Sequence, residues 1–130
     1  MEYVIKLINE DSSKSLDLTK FLEEKSEVVI GRGENCDVRL LNEFVSRRHC
    51  SITYHQPSSY CVLPDFINRK YLLSIRDLNS LNGTIINNSR ILDDKPITLG
   101  EGDHIGIGGI EYYVNISNKV SYDSKTKEIK

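Results

Sequence analysis

The sequence has little cysteine, and its three cysteines are not arranged for a structural cross-link. Cys36, Cys50 and Cys61 are odd in number and include no Cys-x-x-Cys pair. A disulfide framework uses an even set of cysteines in an oxidising compartment, and a structural zinc site needs closely spaced ligand pairs. The pattern excludes both and predicts small, buried or half-buried thiols in a reducing compartment.

Long apolar runs are missing too. No stretch approaches the roughly 18 apolar residues that a membrane-spanning helix requires. With the charged residues Glu2 and Lys6 at its start, the sequence predicts no signal peptide. We therefore expect an intracellular protein without a membrane partner.

The chain lacks an excess of charge of one sign. Its 17 basic and 19 acidic residues leave a net charge of −2, which gives no general attraction to nucleic acid or to an anionic membrane. We expect no nucleic-acid partner, and any anion site has to be local. With 130 residues and 38% apolar content, the chain fits one soluble domain with its own core.

Catalytic and metal-binding signals are absent as well. No obvious nucleophile–base pair stands among the polar residues over 31–33, 45–49 and 76–87, no Cys-x5-Arg run occurs, and Gly31-Arg32-Gly33 lacks the Lys-Ser/Thr ending of a nucleotide-binding loop. His49 has no second His or Cys at ligand spacing, which argues against a metal site. The sequence predicts a binding module that needs no cofactor, and not an enzyme.

A sustained helical period is the last absence. Short apolar runs alternate with turn signals about every 8 to 12 residues, as is typical of an all-β sandwich. Residues 15–24 fit either a strand or one short helical turn. Residues 56–70 predict a long hairpin connection or an insertion, 87–90 a turn, and 91–99 short strand pieces. The strand pattern ends at Ile116.

What the chain does have is two polar runs at the ends of apolar segments. The first holds Arg32, Ser46 and Arg47, and the second holds Asn82. Loops on a rigid sheet are where binding groups usually lie, and this set of donors suits a phosphate. Neighbours in an extended segment point in opposite directions, so of Arg47 and Arg48 we expect Arg47 to face a ligand.

Each of these residues also has a plainer interpretation. Arg32 could form a surface salt bridge with Asp37 or Glu34. Ser46 could be a turn or cap residue, and Asn82-Gly83 could be a hairpin turn and nothing more.

Four short motifs resemble those of the forkhead-associated (FHA) domain family in order and spacing. The match covers roughly residues 27–116. The motifs are Gly31-Arg32, Ser46-Arg47-Arg48-His49, Asn82-Gly83-Thr84 with Asn87, and Gly102-Asp103-His104-Ile105. One such fragment is common, whereas all four in order make a specific signal.

The resemblance implies an FHA/SMAD-like β-sandwich of about eleven strands with binding loops at one end. Those loops would bind a phosphothreonine-containing protein or peptide. Arg32 and Ser46 are implied to bind the phosphate, often with Arg47, and Asn82 to bind the peptide main chain. Further peptide contacts are expected from Leu81 and Phe44. The residues expected to shape the loops are Gly31, His49, Gly83, Thr84 and Asn87.

Family members occur in checkpoint and meiotic kinases, transcription factors and DNA-repair proteins, usually in the nucleus. We therefore expect nuclear signalling, such as a DNA-damage checkpoint or meiosis, with this chain as a non-enzymatic module whose parent could be a Ser/Thr kinase. The FHA domain is expected over residues 1–116 and a polar tail or linker over 117–130. The alternative is a β-sandwich that binds proteins without phosphate. Glu43 and Phe44 favour an apolar or basic ligand residue three positions after the phosphothreonine.

Overall fold

Eleven strands in two sheets and one short helix make up the described part of the chain. The computed structural model describes residues 3–11, 14–55, 72–92 and 94–119. The elements are β1 (Tyr3–Ile8), β2 (Ser15–Asp17), α1 (Thr19–Lys25), β3 (Glu27–Gly31), β4 (Val38–Arg39), β5 (Cys50–His55), β6 (Leu72–Asp77), β7 (Thr84–Ile86), β8 (Ser89–Arg90), β9 (Ile97–Leu99), β10 (His104–Ile107) and β11 (Ile110–Asn118). The predicted all-β sandwich is confirmed.

The two sheets differ in size and in the strands they contain. One has six strands in the order β2-β1-β11-β10-β7-β8, and the other has five in the order β4-β3-β5-β6-β9. β1 pairs with β11 along its whole length, from Tyr3 opposite Asn118 to Ile8 opposite Tyr113. The first strand is therefore held in the sheet by the last strand of the described residues.

One cluster of buried side chains fills the space between the sheets. Its members alternate along the strands, as Ile5 and Leu7 do in β1 and Ile105 and Ile107 do in β10. Alternation follows from the two-residue period of a strand, which puts every second side chain on the same face. The apolar members of the core are Ile5, Leu7, Leu18, Leu22, Val28, Ile30, Val45, Cys50, Ile52, Tyr54, Leu73, Ile75, Ile86, Ile91, Leu99, Ile105, Ile107, Tyr112 and Val114.

The segment over residues 15–24, which fitted both a strand and a helical turn, contains both. β2 pairs with β1, and α1 follows it and lies against β1 and β3. Leu18 and Leu22 are buried one helical turn apart. The helix ends at Ser26, which adopts a left-handed φ of 62° and donates its N–H to the carbonyl oxygen of Leu22.

Three boundaries differ from the sequence prediction. Ser89 and Arg90, predicted as part of a turn, form β8 and pair with β7. Of the described residues in 91–99, only Ile97–Leu99 form a strand, and β11 continues to Asn118, two residues beyond the expected end. The predicted connection over residues 56–70 and most of the expected tail lie outside the described residues. No helix in the described segments has the length and apolarity needed to cross a membrane.

Candidate functional site

Three loops meet at one end of the sandwich and carry the phosphate- and peptide-binding residues predicted from the sequence. They are the β3–β4 loop (residues 32–37), the β4–β5 loop (residues 40–49) and the β6–β7 loop (residues 78–83). Ser46 lies at their junction. The Arg32 N–H donates to its carbonyl oxygen at 2.9 Å, and the Leu81 N–H donates to its hydroxyl oxygen at 2.9 Å.

Gly31 lets the first two loops approach each other closely. The carbonyl oxygen of Arg47 accepts hydrogen bonds from the Gly33 N–H at 3.0 Å and from the Cys36 thiol at 2.9 Å. A Cβ atom at Gly31 would lie only 2.3 Å from that same oxygen. No side chain fits there, so position 31 requires glycine for the loops to touch.

Arg32 is exposed, and its guanidinium is only partly used. Its Nε donates to the carbonyl oxygen of Val45 at 3.0 Å, which fixes the direction of the side chain and leaves both terminal nitrogens without a partner among the described residues. The plainer interpretation was a salt bridge with Asp37. The Asp37 carboxylate instead pairs with Lys25 and accepts the Val29 N–H at 2.8 Å.

Asp37 is tuned by these contacts. Burial acts to raise the pKa of its carboxyl, but the hydrogen bonds from Lys25 and the Val29 N–H, with the Lys25 charge, outweigh burial and lower the pKa below its usual range. The carboxylate is thereby kept charged and bound both to Lys25 at the end of α1 and to the Val29 N–H in β3. Because Asp37 is paired with Lys25, it does not compete with a ligand for Arg32.

The hydroxyl of Ser46 is oriented by its neighbours. A hydroxyl has one donor hydrogen and two acceptor lone pairs. Since the Leu81 N–H donates to Oγ, one lone pair is occupied and the hydrogen remains available for an acceptor on a ligand. Ser46 is half-buried, and its backbone N–H donates to Nδ1 of His49 at 3.1 Å.

His49 is completely buried and joins two of the loops. Its Nδ1 accepts the Ser46 N–H, so its Nε2 carries the hydrogen and donates to the carbonyl oxygen of Gly83 at 2.9 Å. The neutral imidazole therefore spans from the β4–β5 loop to the end of the β6–β7 loop. The Leu78 N–H adds a bond to the His49 carbonyl oxygen at 2.9 Å.

The β6–β7 loop is built around Asp77, which the sequence argument missed. Its buried carboxylate accepts the hydroxyls of Ser80 and Thr84, each at 2.6 Å, and the Ser80 N–H at 3.0 Å. The Ser80 hydroxyl oxygen in turn accepts the Gly83 N–H at 3.0 Å. These bonds close the loop on itself below the surface. The Ser-x-x-x-Thr spacing after an aspartate was the only signal that could have revealed them.

Asn82 and Phe44 form the other half of the surface. Asn82 Nδ2 donates to the Phe44 carbonyl oxygen at 2.9 Å, which leaves its side-chain oxygen and a second N–H without a partner in the described residues. Phe44 is 56% exposed and Leu81 is 83% exposed. With Leu41, these side chains are three of the five large apolar residues that remain exposed in the described residues, and exposed apolar patches mark interaction surfaces.

Gly83 and Thr84 lie at the buried end of the β6–β7 loop, whereas Asn87, also expected to shape the loops, makes its side-chain bonds elsewhere. Gly83 has a φ of 84°, and a Cβ there would lie 2.4 Å from Nε of Arg90. Thr84 is fully buried on Asp77. Asn87 lies further away, where its side chain binds the His104 N–H at 2.9 Å and Asp103 at 3.2 Å.

A cleft of about 770 Å³ lies between the β3–β4 and β4–β5 loops. Arg32 and Arg47 line it, as do Arg48 and Arg39. The segment holding Arg47 and Arg48 is bent, so the alternation expected for extended chain does not separate the two side chains. Arg39, at the end of β4, was missed because nothing in the local sequence shows that it turns back towards Arg32.

A second groove of about 320 Å³ begins at Phe44 and Asn82. It continues over Ile85 and Gly106 to the turn at Gly108, which the sequence argument did not place at the site. The Asn42 side chain donates to the Gly108 carbonyl oxygen at 3.3 Å. The β4–β5 loop therefore contributes residues to both the arginine-lined cleft and this groove.

In residues 3–11, 14–55, 72–92 and 94–119, no group of three or more His, Cys, Asp or Glu side chains could hold a metal ion. Burial, with the nearby Asp77 charge, raises the pKa of the Cys50 thiol, which stays protonated. Cys36 is a half-buried free thiol.

A protein-family model described as the FHA domain matches residues 28–108, which contain all three loops. The chain belongs to the FHA family. E3 ubiquitin-protein ligase CHFR of Danio rerio is 32% identical over 101 residues, which are 77% of this chain. The chain spans only 13% of the length of that relative.

Two solved structures are similar to this one. An FHA domain from a structural and functional analysis of phosphothreonine-dependent FHA domain interactions is 28% identical with a TM-score of 0.61, covering 86% of this chain and 95% of that chain. EmbR of Mycobacterium tuberculosis, solved with a low-affinity phosphopeptide, is 28% identical with a TM-score of 0.66, covering 88% of this chain and 25% of EmbR.

Proposed function

We propose that this FHA domain binds phosphothreonine peptides at the junction of its three loops and so mediates phosphorylation-dependent protein–protein interaction. The observation that carries the proposal is the convergence of unused donors at Ser46. Among the described residues, the terminal nitrogens of Arg32 and the Ser46 hydroxyl have no partner beyond the bonds that orient them. The phosphothreonine-dependent interactions described for a similar FHA domain support the ligand class.

The phosphate is bound by groups that are already oriented. Arg32 is held by its Nε, so its two terminal nitrogens present the planar fork that matches two phosphate oxygens. Ser46 donates its hydroxyl hydrogen to a third oxygen. Arg47, exposed on the same loop, adds charge. Because the loops are already fixed before binding, the entropic cost of ordering them is small and affinity is not lost to it.

The peptide main chain is bound by Asn82. Its free oxygen and remaining N–H are side by side, so the side chain can accept from one peptide N–H and donate to one peptide carbonyl. Leu81 and Phe44 flank it with exposed apolar surface. This arrangement binds the extended main chain of the ligand next to the phosphothreonine.

Residues after the phosphothreonine enter the groove between Phe44 and Gly108. Because this groove is lined by Phe44, Ile85 and glycines with Glu111 at its far side, we propose that it prefers an apolar or basic residue over an acidic one. The threonine methyl adds about 0.8 kcal/mol if it is buried. A preference over phosphoserine beyond about fourfold would therefore require steric fit as well.

A calorimetric titration tests the proposal. The ligand is an oriented peptide library with a fixed central phosphothreonine, compared with its phosphoserine and unphosphorylated counterparts. A few charge-assisted hydrogen bonds predict a Kd near the micromolar range, about −8 kcal/mol. Arg32→Ala should weaken binding by about tenfold or more, since a hydrogen bond to a charged group contributes about 1.5–3 kcal/mol.

Two control variants keep this test interpretable. Lys20→Ala removes one positive charge from the exposed face of α1 and should bind like the wild type. Arg32→Lys keeps the charge but loses the fork and should bind between wild type and Arg32→Ala. Equal binding of phosphorylated and unphosphorylated libraries by a folded protein would instead establish the phosphate-independent sandwich.

We further propose a partner in nuclear signalling, such as a DNA-damage checkpoint or meiosis, with any catalytic activity in another part of the parent protein. This part is supported by the family resemblance alone. Affinity capture from nuclear extract with wild type and Arg32→Ala, with and without phosphatase, tests it. Partners that depend on both phosphate and Arg32, and that belong to those processes, are the expected result.

A further inference from the structure

We infer that the arginine-lined cleft binds a second anionic group of the same ligand, a second phosphate or a pair of acidic side chains, through Arg39 and Arg48. The inference rests on the proposed phosphothreonine site, which uses Arg32 and Ser46. It adds a subsite next to that site and so narrows the ligand from any phosphothreonine peptide to one with a second negative group nearby.

Arg39 is positioned for this role by the backbone of the phosphate site itself. Its Nε donates to the carbonyl oxygen of Arg32 at 2.9 Å. That bond orients the guanidinium and leaves both terminal nitrogens without a partner in the described residues. An exposed arginine held at one end and free at the other is prepared for a planar anion, since little side-chain freedom remains to be lost.

Arg48 lines the same cleft, and its guanidinium also makes no hydrogen bond or ion pair in the described residues. The cleft contains two acidic side chains, Glu34 and Glu43. Neither lies within salt-bridge distance of an arginine in the described segments. By contrast, lysines elsewhere do find partners, as Lys25 does at Asp37 and Lys119 does at Glu23.

The side chains that line the cleft have a net positive charge, whereas the chain as a whole has a net negative charge. Four arginines and two glutamates line it, whereas the whole chain has a net charge of −2. Like charges placed together without counter-ions repel one another, and an anion between them removes that cost. Arg32 and Arg47 suffice for one phosphate, so Arg39 and Arg48 remain for a second group.

The size of the cleft agrees with two anionic groups. Its volume of about 770 Å³ is in the range of about 300–1,000 Å³ that holds a drug-sized ligand, which is far more than one phosphate occupies. A peptide bound through its phosphothreonine has its neighbouring residues within reach of this space. The second group therefore comes from the same chain, and no separate anion is needed.

Binding measurements with four synthetic peptide pools test the inference. All have a central phosphothreonine in a neutral background, and the positions on each side of it carry alanine, a second phosphothreonine, paired glutamates, or paired lysines. The wild type should bind the doubly phosphorylated or glutamate pool on the order of tenfold tighter than the alanine pool, as expected for two partly exposed charge pairs. The lysine pool should bind more weakly than the alanine pool.

The arginines are tested with Arg39→Gln/Arg48→Gln. This variant should lose the gain from the second anionic group while binding the alanine pool within about threefold of wild type, since Arg32 and Ser46 are intact. The matched control is Lys6→Gln/Lys20→Gln, which removes two positive charges from β1 and α1 outside the cleft. It should keep the gain.

The outcomes separate the inference from the function it rests on. If all pools bind equally, or if the variant keeps the gain, the second subsite is refuted and the phosphothreonine site stands. If no pool binds at 1 mM, both are refuted. The size of the gain in the phosphate pool against the glutamate pool identifies the natural source of the second charge.

Discussion

At the scale of single residues, the geometry of the site depends on positions where adding or removing a single atom would change how the loops pack. Gly31 touches no ligand in the proposed mechanism, yet the approach of the β3–β4 loop to Arg47 exists only because it has no side chain. His49 likewise acts through a single tautomer that joins Ser46 to Gly83. Both residues position the phosphate-binding groups from below.

Replacing Gly31 tests this dependence. Gly31→Ala puts a Cβ 2.3 Å from the Arg47 carbonyl oxygen and 2.8 Å from the Cys36 sulfur, so the loops must separate. We expect a loss of about 1–3 kcal/mol in the free energy of unfolding, as for overpacked cores. Urea unfolding measures it.

The matched control is Gly100→Ala. Its Cβ would meet only Asp103, at 3.9 Å, so the free energy of unfolding should change by less than about 0.5 kcal/mol. If both variants lose the same stability, the close contact at position 31 is not what requires glycine there.

Many residues of the candidate site could be predicted from their identity and spacing in the sequence, but not all of them. Arg32, Ser46 and Asn82 each follow an apolar run in a motif of fixed spacing, and the fold brings them together. Arg39 and Asp77 are the last residues of β4 and β6, where an isolated charge in the sequence indicates a solvent-facing side chain. Their roles come from where β4 and β6 end in space, which no local pattern encodes.

At the scale of elements, turn chemistry was the most informative part of the sequence. Asn82-Gly83 lies in the loop that leads from β6 in one sheet to β7 in the other, and Gly102-Asp103 lies in the turn before β10. Both glycines have positive φ. The helix α1 could not be decided in advance because it has seven residues and no side-chain cap at Leu18. Its position is set by burial of Leu18 and Leu22 against the sheets, which is a tertiary effect.

The ion pair between α1 and the β3–β4 loop gives a pH prediction. Because the pKa of Asp37 is lowered in the folded state, its contribution to stability is complete above the ordinary value near 3.8 and is lost as pH falls through the lower folded value. Asp37→Asn should cost about 1 kcal/mol at pH 7. It should also flatten the loss of stability below about pH 4.

Unfolding free energies of wild type, Asp37→Asn, Lys25→Gln and the double variant, measured from pH 2.5 to 7, check this. The double-mutant cycle separates the Lys25 contact from the hydrogen bond that Asp37 accepts from Val29. Identical acid limbs for wild type and Asp37→Asn would show that this carboxylate makes no pH-dependent contribution.

At the scale of the whole molecule, the recognisable family region is smaller than the folded unit. The family match covers residues 28–108, but β1 and the whole of β11 lie outside it, and they pair with each other inside the six-stranded sheet. The binding loops are confined to the matched region. The two parts have different roles, since β1 and β11, which lie outside the matched region, complete the core that holds the loops in place.

A truncation experiment decides whether the matched region can fold without those strands. A fragment of residues 27–108 lacks Ile5, Leu7, Leu18 and Leu22, all of which are almost fully buried. Burying such a side chain contributes about 1.5–3 kcal/mol, so the four together contribute about 6–12 kcal/mol, against a total stability of about 5–15 kcal/mol for a typical domain. The fragment should therefore show no cooperative thermal unfolding and no phosphopeptide binding.

A fragment of residues 1–119 retains every described contact and should keep cooperative unfolding and phosphopeptide binding. Cooperative unfolding of residues 27–108 with a Tm near that of the full chain would mean that β1, β2, α1 and β11 are accessory, and the domain boundary proposed for residues 1–116 would have to be withdrawn.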